Sequence, residues 1–147
     1  MKNKTFAVWL ILLTGPLGLH RLYLYRRYGA TGWLVLLASL VGGYGVMRAR
    51  QFGVDDQLSW LLIPFLGFTL AGCSLQAIVY GLTDAEKWNQ RFNPTLAPDA
   101  PAGQTQWLTV MGLAVSLFLG TTVLMASVAF SFQRYFEYQL EQTQTNT

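Results

Sequence analysis

Apolar and polar positions in this chain segregate into long apolar blocks separated by short polar ones. Four apolar blocks stand out, at about Phe6–Leu19, Thr31–Met47, Leu58–Leu82 and Trp107–Phe132. A spanning helix needs about 20 residues, each rising about 1.5 Å, to cross roughly 30 Å of hydrocarbon. The last two blocks meet that length. The first two are short, and flanking tyrosines and arginines must snorkel to the interface to complete the crossing. The pattern predicts an all-α integral membrane protein of four transmembrane helices, the first two a short hairpin, plus a short interfacial helix. Residues 1–50 would form the hairpin and 51–82 the third span. Residues 83–106 would form the interfacial helix and a Pro/Ala/Gly linker, and 107–147 the fourth span and a polar tail.

Composition supports a bilayer setting. Only 12% of the 147 residues are charged, about half the share in soluble domains. Ten basic residues against seven acidic give +3, too little and too scattered for a nucleic-acid footprint. Beside apolar blocks, the same charge suits anionic headgroups. Cys73 and His20 are single representatives of their types, so neither an intrachain disulfide nor a Cys/His zinc cage can form. No cofactor or metal is expected. Lys2 and Lys4 precede an apolar stretch as in a signal peptide, but Thr14-Gly15-Pro16 follows in place of an Ala-x-Ala-like site. A retained first membrane segment is expected.

Polar residues inside the blocks, such as Ser74, Gln76, Ser116 and Ser127, can bond to backbone or across helices. Small residues allow close helix approach in lipid. Gly112, Ser116 and Gly120 recur at every fourth position, as do Gly67 and Ala71. Those stripes either pack the third helix on the fourth or form a homodimer contact.

The loops carry further signals. "GLTDAEKWNQRFNP" has Thr83 and Glu86 at capping-box spacing and a stop at Asn93-Pro94. Trp88 and Phe92 share one helical face with Ala85, while Lys87 and Arg91 share another, so a helix lying in the headgroup plane is expected. "TLAPDAPAGQTQ" reads as a flexible linker, and the tail beyond about Leu140 as disordered. With four spans, both termini share a side with the Arg48–Asp56 loop. Each side then holds five basic residues, and the positive-inside rule is tied.

"GPLGLHRLYLYRRYG", residues 15–29, concentrates the unusual chemistry. Gly15 and Gly18 suit a tight turn, Arg21 could bond the last carbonyls of the first helix and reach phosphates, and Tyr23, Tyr25 and Tyr28 suit an aromatic belt. His20 could sense pH, since an ordinary histidine side chain titrates near neutrality. Gly18, His20, Arg21, Tyr23, Arg26 and Arg27 therefore form a candidate headgroup- or partner-contact turn. From Lys4 through Gly32 the chain resembles the bacterial TM-two domain, a two-transmembrane hairpin family also labelled NINE protein. Gly18, His20, Arg21, Tyr23 and Leu24 match its Gly-x-[His/Asp]-Arg-Phe-Tyr-Leu-Gly turn, with Leu22 in place of phenylalanine and Tyr25 in place of glycine. The resemblance covers about the first third of the chain. It implies an integral protein of the bacterial inner membrane with no established enzymatic activity.

Among function classes, an enzyme lacks a nameable pair of reacting groups: there is no Gly-x-Ser-x-Gly, His-Glu-x-x-His or phosphate-binding glycine loop. Asp55 and Asp56 read as loop charges at the start of the third helix. The expected role is a non-catalytic scaffold or accessory subunit whose partners are the bilayer and either a membrane protein or a second copy. An oligomeric conduit for ions or small solutes and a lipid-headgroup-binding protein are the alternatives.

Overall fold

The structure is a computed structural model and describes residues 1–146. Six α-helices account for most of it: α1 Lys4–Thr14, α2 Leu19–Tyr25, α3 Gly29–Phe52, α4 Gln57–Gly81, α5 Ala85–Phe92 and α6 Trp107–Thr145. Among the described residues there is no strand. Three helices, α3, α4 and α6, are long and apolar enough to cross a membrane. That is one fewer than the apolar blocks suggested.

The difference lies in the first block. It folds as α1, a 3₁₀ turn over Gly15–Leu17, and α2 running back. With 11 residues, α1 extends only about 16 Å. Its start is tied to the end of α4, where the Lys4 ammonium donates to the Thr83 carbonyl at 2.9 Å. Its tip lies against Cys73, whose Cβ stands 2.7 Å from where a Gly15 Cβ would be. Cys73 precedes the end of α4 by eight residues, or about 12 Å. The chain turns there, because Gly18 takes the left-handed φ of 71° that glycine tolerates at little cost. A Cβ on Gly18 would meet the Tyr28 ring at 3.1–3.4 Å. α2 then returns to the starting end, where the Tyr25 and Tyr80 hydroxyls share a hydrogen bond at 2.8 Å. The first block is thus a half-depth hairpin rather than a crossing.

α3 and α4 run antiparallel, with Gly42 packed on the backbone of Leu66 and Gly45 on Leu62. Their connection is held by Asp56, which caps α4 by accepting from the Ser59 amide at 3.0 Å and receives Arg48 in a two-pronged ion pair at 2.9 and 3.0 Å. α6 packs antiparallel on α4. Gly67 meets Ser127 and Gly120 meets Ser74, so close that a Cβ on Gly67 would fall 1.8 Å from the Ser127 hydroxyl. Gly112 instead faces α1: a Cβ there would lie 2.8 Å from Val8, which also borders Gly81. The Ser116 hydroxyl is buried and bonds back to the Gly112 carbonyl at 2.6 Å. The small residues therefore meet partners within this one chain, with Ala71 beside Gly120.

Since α1 leaves from one end and α2 returns to it, the N-terminus and the end of α6 lie at opposite ends of the bundle. One end, the hairpin end, gathers the N-terminus, the α2–α3 turn, α5 and the segment to α6. The far end gathers the α3–α4 connection and the last turns of α6. This replaces the arrangement in which both termini share a side.

Candidate functional site

The hairpin end is built on α1 and closed by α5. The α5 helix begins one residue later than the capping-box spacing implies. The Thr83 hydroxyl donates back to the Val79 carbonyl at 2.8 Å, which ties it to the last turn of α4, and Asp84 takes the cap position without a side-chain capping bond. The apolar face of α5 meets protein rather than lipid. Trp88 is 0% exposed and Phe92 is buried, both packed with Ala7 and Leu24 and flanked by Tyr23 and Tyr80. The Trp88 indole donates to the Lys2 carbonyl at 2.9 Å, and Asn93 both receives the Lys2 amide at 2.6 Å and donates to its carbonyl at 2.9 Å. Lys87 remains exposed beside Asp84, while Arg91 donates to the Tyr25 hydroxyl at 3.2 Å.

The segment from 94 to 106, expected to be a flexible linker, is folded onto α5. Buried Asn89 donates to the carbonyls of Pro98 and Ala100 at 2.9 and 3.0 Å. Gly103 packs so closely that a Cβ would lie 2.6 Å from the Ala85 carbonyl. The helical tail also continues past Leu140 to Thr145.

Beneath this cap lie the buried polar groups. The Lys4 ammonium, fully buried, donates to the Thr83 carbonyl and to the Thr105 hydroxyl at 2.7 Å. Burial pushes its pKa down, with nearby Asp84 opposing the shift. Thr5 and Thr109 share a hydroxyl bond at 2.7 Å. These contacts tie α1, α4 and α6 together at one level, and no periodicity of a single segment signals them.

The turn motif divides into two sets. Gly18, His20, Arg21 and Tyr23 face inward. His20 is 1% exposed, beside Gln76 of α4, and neither of its ring nitrogens is hydrogen-bonded. Arg21 is half-buried and donates to the Thr31 hydroxyl of α3, rather than to the last carbonyls of α1. The Tyr23 hydroxyl accepts from the Asn3 amide at 2.9 Å, and its ring meets Phe6 edge-on at 5.0 Å. Gln76, Tyr80, Tyr25 and Arg91 continue as a hydrogen-bonded chain at 3.5, 2.8 and 3.2 Å, running from beside His20 out to the exposed face.

Arg26 and Arg27 form the outward set. Both are exposed, and neither guanidinium has a hydrogen-bond or ion-pair partner, although the Arg26 amide donates to the Leu22 carbonyl at 3.0 Å. Arg26 ends α2 with φ 53°, the one non-glycine residue with positive φ among those described. An arginine in that conformation costs on the order of 1 kcal/mol, which glycine would avoid.

Charge is divided unequally between the two ends. The hairpin end carries seven of the ten basic residues, Lys2, Lys4, Arg21, Arg26, Arg27, Lys87 and Arg91, against three acids. The far end carries Arg48, Arg50 and Arg134 against four acids. The even count of five and five belonged to a four-span chain. Once the first block turns back, the two ends hold formal charges of +4 and −1. Among the described residues, no group of three or more His, Cys, Asp or Glu side chains is placed to hold a metal ion.

Comparison with protein-family models, with curated proteins and with solved structures finds no match.

Proposed function

We propose that this chain is a non-catalytic membrane scaffold or accessory subunit that works through its hairpin end, with that end in the cytoplasm of a bacterial inner membrane. The observation that carries the reading is the pair Arg26 and Arg27. They are exposed and unpaired, and Arg26 is held in a backbone conformation better suited to glycine. Strain retained at an exposed cation is a reason to look for a contact outside the chain. The charge imbalance supports the orientation, because basic residues flanking membrane helices stay on the cytoplasmic side. The turn's resemblance to the TM-two family supports the setting, and the packed, hydrogen-bonded cap supplies a folded surface. Headgroup binding is the second reading, favoured by the same arginines, since guanidinium groups pair with phosphate through two parallel bonds.

The test is gentle-detergent purification of the tagged chain from its native membrane, with mass spectrometry of what accompanies it. A membrane-protein partner held stoichiometrically by the native chain and lost from the Arg26→Gly/Arg27→Ala double variant is expected. Glycine keeps the turn, so loss of the partner would not reflect misfolding. If the chain comes alone and both forms behave alike, the scaffold reading fails. A reporter on the C-terminus should be active only outside the cytoplasm; cytoplasmic activity would overturn the orientation.

A further inference from the structure

Because α1 stops about 12 Å below the hairpin end, it fills only the upper part of the crevice between α3, α4 and α6. Below its tip the crevice is open. A cavity of about 180 Å³ lies under Ile11 and Leu12 and extends to Leu119 and Val123 of α6. It is followed by a groove of about 480 Å³ that Val123 also borders. The groove runs between Val46 of α3, Gly67 of α4 and Ala126 of α6 to Arg50, Val54 and Phe130. From Leu119 to Phe130, the α6 wall covers eleven residue steps, about 16 Å. That matches one leaflet of a hydrocarbon core roughly 30 Å thick. The lining is apolar apart from small hydroxyls and the terminal arginine.

We propose that this groove holds one acyl chain of a glycerophospholipid from the far-end leaflet, with its phosphate on Arg50. Arg50 stands at the groove's outer end in the last turn of α3, exposed. The other two far-end arginines are already committed, Arg48 to Asp56 and Arg134 to Asp55 and Glu137. The Arg50 guanidinium has neither an ion pair nor a hydrogen bond. It is therefore the cation left to meet an anion arriving from the bilayer. A guanidinium binds phosphate oxygens in a fixed two-pronged geometry, and the apolar walls take the chain. The site is independent of the hairpin-end contact: it lies at the opposite end of the bundle and uses none of the same residues.

The experiment reconstitutes the full chain in phosphatidylglycerol nanodiscs, extracts it into mild detergent, and counts retained phospholipid by native mass spectrometry. The native chain should keep one phosphatidylglycerol. Ala126→Trp, which fills the groove from α6, should abolish retention, and so should Val46→Phe from the α3 wall. Arg50→Gln should lower it about tenfold, the loss of a charge-assisted contact. Val79→Trp, on an exposed position of α4 away from the groove, should leave it unchanged. Helix content and elution volume of each variant report folding, and the two filling variants act from different walls. The proposal is overturned if the native chain retains no lipid, or if both filling variants retain as much as the native chain. It is also overturned if Ala126→Cys on a Cys73→Ser background cross-links to a second copy in the bilayer, since a protein would then occupy the groove.

Discussion

The two ends of this bundle solve the same packing problem in different ways. Three long helices, arranged with α4 between α3 and α6, leave a crevice on one side. At the hairpin end the crevice is filled by α1, with Val8 seated between Gly81 and Gly112 and polar side chains joining α1 to segments about a hundred residues away. At the far end nothing in the chain fills it, and cohesion rests on ion pairs at the connection and on close α4–α6 contact. A half-length hairpin thus creates a protein-filled half and an open half within one bundle. The filled half carries the packed α5 cap, and the open half carries the groove.

Breaking the cap should have the largest effect. Trp88→Ala removes a fully buried indole and its bond to the Lys2 carbonyl, and should cost about 3–5 kcal/mol. Protease should then cut around residues 26–28 in the folded chain, whereas the α3–α4 connection stays protected. Equal loss of protection at both ends would mean that the ends are not separable. Next in size, Gly42→Leu places side-chain atoms where the Leu66 backbone stands, since even a Cβ would lie 2.3 Å from its nitrogen. Overpacking should cost about 1–3 kcal/mol, read as a lower unfolding temperature in detergent, with the Trp88 environment, followed by fluorescence, kept. Asn89→Ala leaves the Pro98 carbonyl without its side-chain donor and the Ala100 carbonyl with only the Gly103 amide. It should cost about 1–3 kcal/mol and open residues 94–106 to proteolysis.

The smallest effect concerns the far end and acid. Bonds from the Arg48 guanidinium, and then from the Ser59 hydroxyl, hold the Asp56 carboxyl well below the usual carboxylate range. A carboxyl depressed on folding contributes stability that is complete above its unfolded pKa of 3.8 and is lost as pH falls toward the folded value. The native chain should therefore lose thermal stability on acidification below that pKa more than Asp56→Asn does. The asparagine can still cap the Ser59 amide while lacking the ion pair. Parallel losses in the two forms would remove Asp56 as the source.

Much of the architecture was legible in the hydrophobic pattern. The third and fourth blocks appear as α4 and α6 nearly where the pattern put them, because an apolar run of that length has no other soluble or membrane solution. The apolar face of α5, with Trp88 and Phe92, was also visible as helical spacing. What covers that face was not: spacing shows that a face must be buried but not whether lipid or protein buries it. The Thr83 capping box failed for a related reason, since a threonine at the end of one helix can bond back to that helix instead of starting the next. The order of residues 94–106 depends on Asn89 reaching across to Pro98 and Ala100, a contact that composition does not encode.

The amino-acid pattern was enough to show an all-helical chain with membrane-spanning character, to place the two long helices of its second half, and to mark the glycines and arginines of the turn. That the first apolar block turns back at half depth is a product of packing between distant segments. An 11-residue apolar helix has the same composition whether it continues or returns. The outcome rests on Gly18 turning beside Tyr28, and on a notch at Gly81 and Gly112 that accepts Val8. From that one reversal follow the opposed termini, the basic hairpin end and the open groove below it.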